Sequence, residues 1–318
     1  MAKIPNLNLI SQEVKDKYSI TSNAFKGIGL MLLVLVCWFP AEVLGKLIYA
    51  TGASPITLLQ FRYIISSVLF FLTILINGKQ GFRIEKNDII RVVASSTFLA
   101  LHLLLFWSGF KMVKSISTAI AVYFFYPSVV ALVSRFIGKE KVAKYVLGSL
   151  LIGFIGLLFG IGILPSFNFD LAVDAGKILV FLSGLCMGGY LLFSKKISQR
   201  YSPQTICFWN SLAVSVVFLF LQKASVTLSQ INGRNILYLL FLAVCSTYVA
   251  YLILVKAISF LKSPVTGIIH MSRSGLSVIL AFLVFRQIPA TREYIGLIFG
   301  FLSILLLTIG EGKASHGR

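Results

Sequence analysis

Apolar residues in this chain do not alternate with polar ones. They run in blocks of about twenty, separated by short polar breaks. Ten such blocks lie near 27–49, 56–76, 90–110, 115–137, 144–163, 176–194, 203–221, 236–259, 263–285 and 291–310. Each has the length of a helix that crosses a bilayer, about 20 residues rising 1.5 Å apiece. The pattern therefore predicts an all-α polytopic membrane protein with ten transmembrane helices. A membrane barrel would need short segments of alternating polarity, and that alternation is absent. The longest polar breaks, near 78–89, 164–175 and 222–235, are too small for an extramembrane domain. The first apolar block carries Trp38, Pro40 and Glu42 and lacks a small-residue cleavage site, so a retained span is expected rather than a signal peptide.

Composition agrees with this reading. The chain is 58% hydrophobic and 12% charged, with a mean hydropathy of +0.92. Soluble domains carry about 25% charged residues. A net charge of +19 raises the question of nucleic acid, but the placement of the charge answers it. With the N-terminus inside, the cytoplasmic segments hold 19 Lys and Arg residues and the outer segments 8. Such a bias marks the side that faces the cytoplasm, so both termini are expected there, and the expected location is the inner membrane. The excess charge then faces anionic lipid, and no nucleic-acid partner is expected. Cys37, Cys186, Cys207 and Cys245 all lie within apolar blocks and form no CxxC pair. They read as small buried hydrophobes, with neither disulfides nor a metal implied and no cofactor expected.

The second half of the chain repeats the first at a constant offset of 148 residues. Ser54-Pro55 realigns with Ser202-Pro203, Lys114-Ser115 with Lys262-Ser263, Thr118 with Thr266 and Gly148 with Gly296. Five spans per half is an odd number, so the two copies are expected to lie in opposite orientations. The predicted organisation is a cytoplasmic tail over 1–25, a five-helix repeat over 26–166, a second over 172–312 and a short cytoplasmic tail over 313–318. Gly156-x3-Gly160 and Gly296-x3-Gly300 fit close helix packing, between the two half-ends or across a homodimer seam.

Charged and polar residues inside apolar blocks are the candidates for chemistry, because a charge at the bilayer centre costs at least ~2.5–3.5 kcal/mol. Glu42 and Arg62 fall at a similar level, about 6 Å to the outer side of the midplane, and are expected to form an ion pair. That pair is either a static bridge or one that opens during transport. His102 and Arg273 fall near the midplane, with His270 one turn inward on the same face as Arg273. Arg273 has no acidic neighbour in sequence and is expected to hold an anionic group of a substrate, or else to bond backbone and hydroxyl oxygens. His102 is read as a substrate contact or as an interhelical hydrogen bonder. Helix breakers occupy matching positions of the two halves: Pro40 with Gly188, and Pro127 with Gly275. Such sites are expected to act as hinges beside the binding site. Tyr123 and Tyr126 share one helix face and suit stacking on an organic group. Tyr190 and Asn210, the repeat partners of Glu42 and Arg62, complete the candidate set.

The ten-span layout, Ser117-Thr118-Ala119 at the start of span 4 and Gly138-Lys139-Glu140 after it together resemble the EamA-type branch of the drug/metabolite transporter superfamily. The resemblance covers about residues 25–312, although Gln287-Ile288 stands where the family has Gly-Glu after span 9. It implies alternating access around a central cavity and a small-molecule substrate. The expected function is a secondary transporter of a small polar metabolite, amino-acid-like or similar to S-adenosylmethionine. An exchanger of nucleotide-linked or phosphorylated metabolites and a lipid-handling membrane protein are the alternatives. An enzyme is not expected, since no HExxH, GxSxG or paired-carboxylate motif occurs.

Overall fold

The computed structural model describes residues 26–137, 142–164, 171–260, 276 and 278–316, and among them every regular element is helical. The elements run α1 (26–38), α2 (Ala41–Ala50), α3 (Pro55–Asn77), α4 (Lys86–Met112), α5 (Ile116–Tyr123), α6 (Tyr126–Ile137) and α7 (Lys144–Ile161). They continue with α8 (Leu171–Ile197), α9 (Pro203–Leu221), α10 (Ala224–Gln230), α11 (Ile236–Ala243), α12 (Ala250–Phe260), α13 (278–285) and α14 (Thr291–His316). Seven stretches among the described residues are long and apolar enough to cross a membrane, the longest being Lys86–Met112. The chain is a multi-pass membrane protein.

Two predicted spans are broken helices. Pro40 has no N–H to donate, and the first span divides there into α1 and α2. The fourth divides at Phe124–Phe125, one residue ahead of the Tyr126-Pro127 start of α6. At Gly188 the structure departs from expectation, because α8 runs unbroken from Leu171 to Ile197. The adjacent Gly189 serves packing instead: a Cβ there would sit 2.6 Å from the ring of Phe98. The polar break near 222–235 also differs from a plain loop, since it contains α10. The predicted spans at 144–163 and 291–310 correspond to α7 and α14. Most of the predicted span at 263–285 lies outside the described residues.

The molecule is apolar outside, and its largely apolar core also encloses polar side chains. Ile76, Ile90, Leu151 and Phe220 project from its surface, whereas Gln60, Ser66, Ser95 and Thr247 are fully or almost fully enclosed. Water would not tolerate such an outer surface, and a bilayer requires it. Between the helices, the enclosed hydroxyls bond one another and backbone carbonyls. Ser66 donates to the Ala243 carbonyl at 2.8 Å, and Ser303 to the Ser149 carbonyl at 2.6 Å. Interhelical bonds of this kind contribute about 0.6–2 kcal/mol each in a membrane.

Helix pairing follows the sequence offset. α3 packs on α9, and the Ser67 and Ser215 hydroxyls, 148 residues apart, meet at 3.0 Å. Each of these hydroxyls also bonds the carbonyl four residues earlier in its own helix. α3 and α9 start alike: Ser54 and Ser202 accept from the Thr57 and Thr205 N–H groups, and Pro55 and Pro203 follow the caps. α7 packs on α14, where a Cβ on Gly156 would lie 3.0 Å from the Gly296 carbonyl and a Cβ on Gly296 would lie 3.0 Å from the Gly156 carbonyl. The glycine series thus joins two helices of one chain. The α4–α8 pair is equally close, with Gly109 and Gly176 backbone to backbone. Its counterpart at the offset is α1–α2 against α11 and α12, tied by Trp38 Nε1 donating to the Ser246 carbonyl at 2.8 Å and by Ser246 Oγ donating to the Cys37 carbonyl at 2.6 Å.

Candidate functional site

A cavity of about 50 Å³ lies among α1, α2, α3, α4, α5, α8 and α12. Glu42 and Arg62 both line it, 3% and 4% exposed. Glu42 stands in the first turn of α2, immediately after the Pro40 break. The positive end of the α2 dipole favours a carboxylate at that place. Arg62 comes from α3. Its Nε donates to Thr247 Oγ1 at 3.1 Å, and its guanidinium lies 5.3 Å from the centre of the Trp107 ring.

Thr247 can reach Arg62 because the helix carrying it is irregular. Between α11 and α12 the chain makes a turn of π-helix over Val244–Val249. The wider turn lets Thr247 Oγ1 donate to the Leu242 carbonyl five residues back, at 2.8 Å, while accepting from Arg62. The same turn supplies the Ser246 carbonyl that holds Trp38 and places Tyr251 on the cavity wall.

Aromatic rings form half of the remaining wall: Trp38, Phe106, Trp107, Tyr123 and Tyr251. They brace one another edge to face, with Trp38 on Tyr251 at 5.6 Å and Tyr123 on Phe106 at 5.5 Å. His102 also lines the cavity. Its Nδ1 meets the Ser183 carbonyl at 2.9 Å, which assigns Nδ1 as the donor and ties α4 to α8.

The structure therefore brings together Glu42, Arg62, His102 and Tyr123 of the residues singled out from sequence. Three others stand off the wall. Tyr126 packs against Gly184 and the Tyr123 ring. Tyr190 is 1% exposed and supports Tyr251 edge to face at 6.3 Å. Asn210 accepts hydrogen bonds from Ser96 at 2.8 Å and Ser95 at 3.3 Å, joining α9 to α4. His270, Arg273 and Gly275 lie outside the described residues. The wall also contains residues that polarity in an apolar run did not mark, namely Trp38, Phe106, Trp107, Met187 and Tyr251, while Thr247 positions Arg62.

An acid and a guanidinium share a low-dielectric chamber faced with π-systems. Aromatic faces attract a cation, a carboxylate neutralises one, and a guanidinium fork accepts a carboxylate in two-point fashion. Among the described residues no three His, Cys, Asp or Glu side chains gather as a metal site would require.

Polar contacts close two helix ends. At the α3–α9–α10 end, Gln60 donates to the Gln222 carbonyl at 2.9 Å, Gln222 donates to Thr57 at 2.8 Å and Thr57 to Gln230 at 2.5 Å. At the start of α5, Glu293 of α14 accepts from Ser117 at 2.6 Å, from Ser115 at 3.1 Å and from Thr118.

Residues 174–309 match the EamA-like transporter family. The chain is 24% identical over 235 residues to the uncharacterized transporter YxxF of Bacillus subtilis (strain 168), covering 73% of this chain and 74% of that one. It is also 24% identical over 178 residues to an uncharacterized transporter of Archaeoglobus fulgidus, covering 56% of each. In fold it is similar to a protein known from a crystal structure, with a TM-score of 0.63 and 14% identity, covering 91% of this chain and 97% of that one.

Proposed function

We propose that the chain, which belongs to the EamA-like transporter family through its second half, is a secondary transporter of a small zwitterionic or amino-acid-like metabolite. It works by alternating access in the inner membrane, with both termini in the cytoplasm. The observation that carries this reading is that Glu42 and Arg62 both line one buried, aromatic-walled chamber. Glu42 and the rings take the cationic group of the substrate, and Arg62 its anionic group. Arg273, carried by the span outside the described residues, adds a second anion contact from the other half.

The two halves form an inverted pair of five spans each, and transport rocks one against the other. Two contacts and one likeness support that reading: the Ser67–Ser215 meeting, the Gly156–Gly296 meeting and the like caps of α3 and α9. Pro40 and the break before Pro127 flank the chamber and serve as flexion points. The reading requires the chamber, about 50 Å³, to widen as it admits substrate.

Uptake of a labelled panel (amino acids, S-adenosylmethionine, nucleotides) into proteoliposomes tests this, with and without preloaded metabolite and with an imposed pH gradient. A zwitterion taken up above protein-free vesicles is the expected result. Uptake confined to nucleotides would replace the reading with the phosphorylated-metabolite exchanger. Silence across the panel from correctly inserted protein would replace it with lipid handling.

A further inference from the structure

A second and larger space among the described residues opens toward the start of α4. It is a groove of about 1110 Å³ between α4 and α9, covered at one end by the 3-10 turn Lys79–Phe82. Trp209 Nε1 donates to the Phe82 carbonyl at 3.2 Å and pins that turn over the groove. Below it the walls are apolar: Ile89, Val92 and Val93 from α4, and Leu212, Val216 and Val217 from α9. From Lys86 at the start of α4 to Thr97 at the deep end of the groove is about 17 Å along the helix. That is close to half the ~30 Å hydrocarbon core, the depth of one leaflet.

The mouth has the opposite character. Arg83, Glu85 and Tyr201 line it, and Lys86 follows directly. Asp88 also lies here, but its carboxylate is engaged by Arg91, by Arg200 at 3.1 Å and by Tyr201 at 3.0 Å. Desolvation, opposed by a bond to the Glu85 N–H and reinforced by Asp88, leaves the Tyr201 phenol above its usual range and therefore neutral. Arg83 and Lys86 are both exposed and outnumber Glu85, so the mouth presents net positive charge. Tyr201 and Trp209, which also line the groove, are amphipathic rings of the kind enriched at lipid headgroups.

We propose that this groove is a specific site for an anionic membrane phospholipid. One acyl chain lies between α4 and α9, and the headgroup phosphate rests on Arg83 and Lys86. The inference needs the chain to be in a membrane but is independent of what it transports. An apolar slot one leaflet deep with a cationic mouth is complementary to that ligand, and to a zwitterionic phospholipid only along its walls.

Native mass spectrometry of the purified full-length protein, delipidated and then offered equal phosphatidylglycerol and phosphatidylcholine with identical acyl chains, tests the site. Wild type is expected to retain phosphatidylglycerol about fivefold over phosphatidylcholine for each engaged basic residue. Arg83→Ala/Lys86→Ala, two exposed changes, is expected to abolish the preference while lipid still binds. Val93→Trp, which fills the wall, is expected to reduce retention of both lipids, and Leu151→Trp on the distant face of α7 to change neither. Equal retention of the two lipids by wild type would overturn the proposal, and so would a preference that survives in the double variant.

Discussion

Arg62 is held by two neighbours of different kind, Thr247 and the Trp107 face. Removing the hydroxyl with Thr247→Val deletes the bond it accepts from Arg62, together with the one it gives the Leu242 carbonyl, each worth about 1 kcal/mol. Transport efficiency is expected to fall about fivefold, with no change in expression, because Arg62 keeps its charge but loses its aim. Kinetics of uptake in proteoliposomes check this, and unaltered kinetics would remove Thr247 from the account of the site. Gly45 bears on the same wall. A side chain there would overlap the Trp107 ring, so Gly45→Val forces the ring out of place. Overpacking of this kind costs about 1–3 kcal/mol, and a lowered thermal midpoint is expected together with loss of transport.

The residues legible from sequence were those that stand out chemically in an apolar run. Glu42, Arg62 and His102 were recognisable because burying them in a bilayer demands a reason, and all three line the cavity. Trp38, Trp107 and Tyr251 were not, because aromatic residues occur in nearly every span and polarity does not separate lining from packing. Tyr126, Tyr190 and Asn210 were placed at the site on helix spacing and repeat position alone. Neither fixes how a helix is rotated about its axis, and all three lie off the cavity wall in the structure.

At the level of elements, backbone chemistry decides what can be read. Prolines announce breaks, since each removes a donor, and both Pro40 and Pro127 lie at the discontinuities that divide their spans. Glycine is ambiguous: it either loosens a helix or lets another approach. Gly188 was read as the first, but α8 is continuous and its glycines accommodate Phe98 and Tyr126. The π-turn at Val244–Val249 carries no Gly or Pro and left no mark on the sequence. The α7–α14 seam makes the packing use of glycine testable. Gly156→Leu is expected to lower the thermal midpoint and the yield of monodisperse protein, because the Gly296 carbonyl and Gly300 nitrogen, each 3.0 Å from the added Cβ, are backbone and cannot swing aside. Gly29→Ala, with nothing within 4 Å, is the matched control and is expected to be neutral. Fluorescence-detected size-exclusion during a thermal ramp distinguishes the two.

For the whole molecule, the constant offset of 148 was the most informative feature of the sequence, and the contacts between α3 and α9 follow it. In a chain freed of its four cysteines, Ser67→Cys/Ser215→Cys is expected to form an intramolecular disulfide, since the two hydroxyl oxygens are 3.0 Å apart. A mobility shift on oxidation that reverses with reductant checks it. Orientation is tested separately: single cysteines at Gly52 and Arg200, ahead of the two Ser-Pro caps, are expected to react with impermeant thiol reagents from opposite sides of the membrane. Labelling of both from one side would rule out an inverted pair.

The most direct measurement is counterflow of the zwitterion selected by the panel, comparing wild type with Glu42→Gln and Arg62→Gln in proteoliposomes at matched protein density. Thermal midpoints show whether each variant is inserted and folded. Loss of a charge-assisted bond, ~1.5–3 kcal/mol, predicts a decrease of at least tenfold in transport efficiency for each variant with the protein still folded. Wild-type counterflow in both folded variants would mean that the chamber lined by Glu42 and Arg62 is not where substrate binds.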